Sequence, residues 1–111
     1  MEISTKEMKR VALVTVGGRI DHETSPELEE TLQKLIDDGK FNLVIDLEDV
    51  EYISSRGLRA LLGARKTVRR WNRGDVRLAN PQDYIRETFD LVGFTQLFEM
   101  YDDLAEAVGS F

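Results

Sequence analysis

The stretch Phe41-Asn42-Leu43-Val44-Ile45-Asp46-Leu47 limits the possible folds most, because apolar side chains occupy nearly consecutive positions. Successive side chains of a strand point to opposite faces, so such a run must be covered on both sides. That is the pattern of a central strand in a parallel sheet with helices packed on it. The preceding sequence fits this frame. Val11 to Val16 is a β-branched run closed by Gly17-Gly18, which reads as another buried strand. Ile3 to Lys9 pairs with it as a polar edge strand, with a turn-like break at Met8 to Arg10. Thr24-Ser25-Pro26-Glu27 then opens a helix. Either Thr24 and Glu27 form a capping box, or Ser25 caps ahead of Pro26. Leu28, Leu32, Leu35 and Ile36 make its apolar stripe, and Gly39 is the stop signal.

Beyond the central run, a second helix is predicted from Ser55 to Trp71, with Leu58, Leu61, Leu62 and Val68 facing the core. Trp71 is expected to cap the core at its end, just before Gly74. Val76 to Ala79 is a short strand, and Asn80-Pro81 opens a third helix carrying Ile85, Phe89 and Val92 and ending at Gly93. Leu97 to Tyr101 reads as the last strand, and Asp102 as the cap of a short C-terminal helix with Leu104, Ala105 and Val108. The order is β-β-α-β-α-β-α-β-α. Helices between strands imply right-handed crossovers, and the first hairpin adds an antiparallel edge. The expected fold is α/β: one domain over residues 1–111, with a mostly parallel mixed sheet of about five strands and about four helices.

Composition narrows the chemistry. With no Cys, disulfides, thiolate zinc sites and thiol nucleophiles are excluded, and the single His22 excludes schemes needing two imidazoles. No run approaches the roughly 20 apolar residues of a membrane span, and the first residues lack a signal-peptide core. A soluble, cytoplasmic protein is expected, with no membrane association. The net charge of −6 opposes general nucleic-acid binding. Yet residues 56–77 hold eight cations (Arg56, Arg59, Arg65, Lys66, Arg69, Arg70, Arg73, Arg77) and one anion, Asp75. They form either a solvated basic helix face or a docking surface for an acidic partner or phosphate groups.

In open α/β sheets, ligands gather outside the carboxyl ends of the strands. Two such ends stand out here: residues 17–22 and residues 49–58, the latter placing Ser54 and Ser55 at a helix start. Free backbone N–H groups and the helix dipole favour a phosphate there, and Arg56 and Arg59 offer charge-assisted contacts. Helix grammar alone makes Ser55 an N-cap, a role worth about 1 kcal/mol. Nothing nearby makes it a catalytic nucleophile, and Gly17-Gly18 lacks the spacing of a dinucleotide fingerprint or P-loop. Asp21 reads as a solvated loop carboxylate and His22 as a surface loop residue.

The segments GGRIDHETSPELEETL and LVIDLEDVEYISSRGLRALLGARKTVR, followed by a Gly-led strand ending in Asn-Pro, resemble the STAS-domain family in its anti-sigma-factor-antagonist branch. The similarity runs from about Val11 to Val108. The family's usual helix start is Asp-Ser-Ser/Thr-Gly-Leu, and its phosphoacceptor is the hydroxyl residue directly after the Asp. Counting back from Gly57 puts that position at Ser55. Ser54 replaces the family Asp, and Arg56 replaces a Ser or Thr. Asp21 aligns with an acidic residue the family keeps in the neighbouring loop.

The resemblance implies a non-enzymatic, cofactor-free binding module with no metal site; nothing in the sequence demands a dimer, and a monomer is expected. Unphosphorylated, it would hold an anti-sigma factor that is also a serine kinase, releasing a sigma factor for transcription. Phosphorylation of Ser55 would weaken the complex, and a PP2C-like phosphatase would reset it. Asp21, Ser54, Arg56, Gly57 and Arg59 would form the switch surface. The alternative is a STAS scaffold that is not phosphorylated and docks in a larger signalling or transport complex.

Overall fold

The computed structural model describes residues 1–111. The elements are β1 (Glu2–Glu7), β2 (Ala12–Ile20), α1 (Ser25–Asp37), β3 (Asn42–Ile53), α2 (Ser55–Arg69), a 3₁₀ turn (Arg70–Asn72), β4 (Asp75–Ala79), α3 (Asp83–Leu91), α4 (Phe94–Leu97), β5 (Met100–Tyr101) and α5 (Leu104–Gly109). One sheet holds all five strands in the order β1-β2-β3-β4-β5, with β1 antiparallel to β2 and the others parallel.

The central run behaves as its pattern requires. Leu43, Ile45 and Leu47 of β3 join the main core with Leu28, Leu32, Leu61, Ile85 and Phe89 of α1, α2 and α3. Val44 points the other way, into a smaller cluster with Val11, Leu13, Ala79 and Ala107 of α5. Burying such side chains stabilises the fold by about 1.5–3 kcal/mol each, which makes the two-faced β3 the anchor of both layers. No helix is long and apolar enough to cross a membrane.

Several local expectations give way to longer-range packing. Gly17-Gly18 does not close the second strand: β2 continues to Ile20, and β3 likewise runs to Ile53 rather than stopping near Leu47. The pairing slips between Thr15 and Gly17 and between Gly18 and Arg19, and Gly18 takes φ +80. The glycines thus carry a bulge through the strand, where a side chain would be strained at positive φ.

Helix α2 ends at Arg69, and Trp71 does not cap the core: it is 75% exposed at φ 65. Arg70 leaves the helix with ψ 129, which swings the indole outward. Ala60 and Ala64 are buried in α2, whereas Leu58 and Leu62 are only partly buried.

The segment expected as a last strand is mostly α4, with β5 reduced to two residues. Phe89, Phe94 and Phe98 pack ring against ring, with centroids 5.6 and 4.9 Å apart, and this wraps the backbone into a turn. Helix α3 starts at Asp83 rather than at Asn80-Pro81, and Val92 lies exposed beyond its end. Asp103, not Asp102, caps α5 by accepting from Ala105 N at 3.1 Å, while Asp102 pairs with Arg86. At α1, Thr24 occupies the N-cap position but makes no side-chain cap bond, so neither capping scheme forms.

Candidate functional site

Strands β2 and β3 end level with each other: Ile20 pairs with Ile53, and Ser54 N donates to Ile20 O at 2.7 Å. Asp21 and Ser54, the next residues of each strand, therefore leave the sheet side by side. One step before, the Arg19 guanidinium lies 4.4 Å above the Tyr52 ring and ties the two strand ends together on the surface.

After β2 the chain turns around Asp21. Its Oδ1 accepts from Thr24 N at 2.9 Å and Glu23 N at 3.0 Å. The Thr24 hydroxyl accepts from Asp21 N at 2.9 Å and reaches Arg19 O at the same distance. The Thr24 backbone N–H holds the Asp21 carboxyl below the usual carboxylate range. Partial desolvation opposes this, while the Thr24 hydroxyl, Glu23 N–H and Arg19 charge reinforce it. Asp21 is thus a built-in turn anchor rather than a freely solvated loop carboxylate. His22 next to it is exposed.

The two serines at the start of α2 have different tasks. Ser54 is the N-cap: its Oγ accepts from Gly57 N at 3.2 Å, satisfying one free donor of the first turn. Ser55, which helix grammar put in that role, is instead the first helical residue; it is exposed and its hydroxyl makes no hydrogen bond within the chain. Gly57 sits directly on the strand ends. A Cβ there would stand 2.7 Å from Ile20 Cγ2 and 2.9 Å from Ile53 Cγ1, so only glycine lets the helix start this close to the sheet.

The arginines also divide. Arg56 reaches α1, where its Nε lies 3.5 Å from Glu29 Oε1. This orients it toward a neighbouring carboxylate rather than leaving it free beside Ser55. Arg59 is exposed, has no carboxylate partner, and lines a shallow groove between α1 and α2 with Glu29 and Ala60. No three carboxylates or imidazoles stand close enough to hold a metal ion.

Ser25 belongs to this site as well, although the sequence suggested only a cap. Fully buried, its Oγ donates to Asp21 O at 2.5 Å and lies 3.5 Å from Ser54 Oγ. It thereby joins the Asp21 turn to the α2 cap. No local signal distinguishes this from capping, because the link spans 29 positions of sequence.

Known proteins share this fold. A family model described as the STAS domain matches residues 2–107. The anti-sigma-B factor antagonist of Staphylococcus aureus is 31% identical over 100 residues, covering 90% of this chain and 92% of that one. The crystal structure of an anti-sigma factor antagonist from Mycobacterium paratuberculosis superposes with a TM-score of 0.89 at 27% identity, covering 98% of this chain and 92% of that one. The Bacillus cell fate determinant SpoIIAA in its phosphorylated form has the same fold, with a TM-score of 0.78 at 18% identity, covering 98% of each chain. With the family model matched over nearly its whole length and an anti-sigma-B factor antagonist 31% identical to it, the chain belongs to the STAS domain family, in the branch of the anti-sigma factor antagonists.

Proposed function

We propose that the chain is a cytoplasmic partner switch in which Ser55 is the phosphoacceptor. Unmodified, it binds an anti-sigma factor that is also a serine kinase, and so frees a sigma factor. The observation that carries this reading is the division of labour between two adjacent hydroxyls. Ser54 is committed to Gly57 N, whereas Ser55 is exposed and unengaged at the first turn of a 15-residue helix. A kinase can reach the second without undoing the cap. The protein supplies no catalysis; the kinase brings nucleotide and metal.

The new charge acts at the contact surface. Phosphate adds about 1.5–2 negative charges at neutral pH. The first-turn N–H groups and the dipole of α2 stabilise it on the free protein. In a complex built around this helix start, the same charge must lose water, and an unpaired buried charge costs several kcal/mol. Arg56 is partly neutralised by Glu29 and Arg59 is exposed to solvent, so their compensation of a desolvated phosphate is partial. A PP2C-like phosphatase then restores the binding form. The kinship to an anti-sigma-B factor antagonist of S. aureus supports the reading, as does the fold shared with a SpoIIAA solved in phosphorylated form.

Incubation with anti-sigma-type serine kinases of the same organism, followed by intact-mass analysis and peptide mapping, tests it. One phosphate on the Ser55 peptide, absent from Ser55→Ala, is expected. Phosphate confined to Ser54 contradicts the assignment to Ser55, and none with any of these kinases favours an unphosphorylated scaffold docking in a larger signalling or transport complex.

A further inference from the structure

The cations that sequence alone groups into one basic face are separated by the fold. Arg56 and Arg59 lie at the switch end of α2, while Arg69, Arg70 and Arg73 lie at the opposite pole, where the parallel strands begin. The register Ala12–Leu43 and Asn42–Asp75 brings three turns together there: residues 8–11 before β2, 39–41 before β3, and 70–74 before β4. Lys9, Arg10, Lys40 and Arg73 line one hollow of about 230 Å³. Lys40 is paired with Glu7 and Arg69 with Asp75, but Lys9, Arg10, Arg70 and Arg73 have no carboxylate partner. Asp37 and Asp38, at the end of α1, also lie toward this pole.

Beside these charges stands the chain's single tryptophan, 75% exposed, with the Arg70 guanidinium 5.8 Å from its ring centroid. Two successive non-glycine residues, Trp71 at φ 65 and Asn72 at φ 55, hold the left-handed conformation that turns the indole outward. Strain of this kind persists only where the surroundings enforce it, and such residues cluster at functional sites. Met8, 39% exposed, adds an apolar contact on the neighbouring turn.

We infer that this pole is a second docking surface, for an acidic segment of a partner protein. Carboxylates of that segment engage Lys9, Arg10, Arg70 and Arg73, and an apolar side chain beside them packs on Trp71. Trp and Arg together are the composition of protein–protein hot spots. An extended polyanion is disfavoured, because a membrane or nucleic acid would also face a chain of net charge −6. One exposed indole is likewise no series of stacking platforms for a single strand. A short acidic segment meets only the basic pole. The surface lies away from Ser55 and does not depend on phosphorylation.

Because Trp71 is the only tryptophan, its emission reports binding directly. The probe is a synthetic glutamate-rich peptide with a central Leu pair, titrated into the full chain at low and at physiological salt. A saturable blue shift, weaker at higher salt, is expected. Fluorescence anisotropy of the labelled peptide should show at least a roughly tenfold loss of affinity in Arg70→Glu/Arg73→Glu and also in Lys9→Glu/Arg10→Glu. Ser55→Asp should change affinity less than about twofold. No saturable shift, equal binding of the peptide with Gln in place of Glu, or a stronger response to phosphatidylglycerol vesicles or single-stranded DNA overturns the inference. If a reversal variant fails to fold, the Glu-against-Gln comparison on the unaltered protein still decides.

Discussion

Gly57 shows how much a missing Cβ contributes to seating the start of α2 on the sheet. Its replacement by Ala gains up to about 1 kcal/mol of helix propensity. It also forces a methyl to 2.7 Å from Ile20 Cγ2 and 2.9 Å from Ile53 Cγ1, overpacking of a kind that costs about 1–3 kcal/mol. Gly57→Ala should therefore lower the urea midpoint at unchanged slope and lift the start of α2 off the sheet. Asp21 makes a second prediction. Its folded pKa is depressed, so its contribution is fully present above the unfolded value, near 3.9. That contribution is lost as pH falls through the lower folded value. Asp21→Asn should be less stable than the parent at pH 7, and unfolding curves should show the gap closing below about pH 4. Of these residues, Gly57 and Asp21 were legible through the family pattern. Helix grammar alone gave the cap to Ser55, because a capping preference cannot say which of two adjacent hydroxyls a helix uses; the family pattern, which sets Ser54 in the place of the helix-opening Asp, left Ser54 to cap.

Among elements, the end of α2 offers a direct contrast between two substitutions three residues apart. Trp71 is exposed at positive φ, so Trp71→Gly relieves strain and should leave stability unchanged or raise it by up to about 1 kcal/mol. A Cβ on Gly74 would stand 2.0 Å from the Phe41 carbonyl oxygen, which is backbone and cannot step aside. Gly74→Ala should cost about 3 kcal/mol or more, visible as a lowered thermal midpoint. Element types were readable where period and length agreed, as in α1 and β3. They were misread where distant contacts ruled. The packed rings of Phe89, Phe94 and Phe98 convert an expected strand into α4, and a glycine bulge carries β2 beyond its apparent stop. Neither effect has a local period.

The whole molecule is organised by the parallel sheet, which sends the strand ends to one pole and the strand starts to the other. That architecture was legible because β3 is apolar on both faces and the intervening helices show clear stripes. The two poles were not, since Lys9, Arg10 and Lys40 join Arg70 and Arg73 only through the strand register. One pole carries the exposed Ser55 over its Gly57 seat, and in the proposed function a phosphate there would alter a contact surface without disturbing the core. The decisive measurement is the affinity of the cognate anti-sigma kinase for the unaltered chain, Ser55→Ala and Ser55→Asp, read by calorimetry without nucleotide. Ser55→Ala should bind as tightly as the unaltered chain, and Ser55→Asp at least about tenfold more weakly, a difference of about 1.4 kcal/mol. Equal affinity of Ser55→Ala and Ser55→Asp would contradict the account.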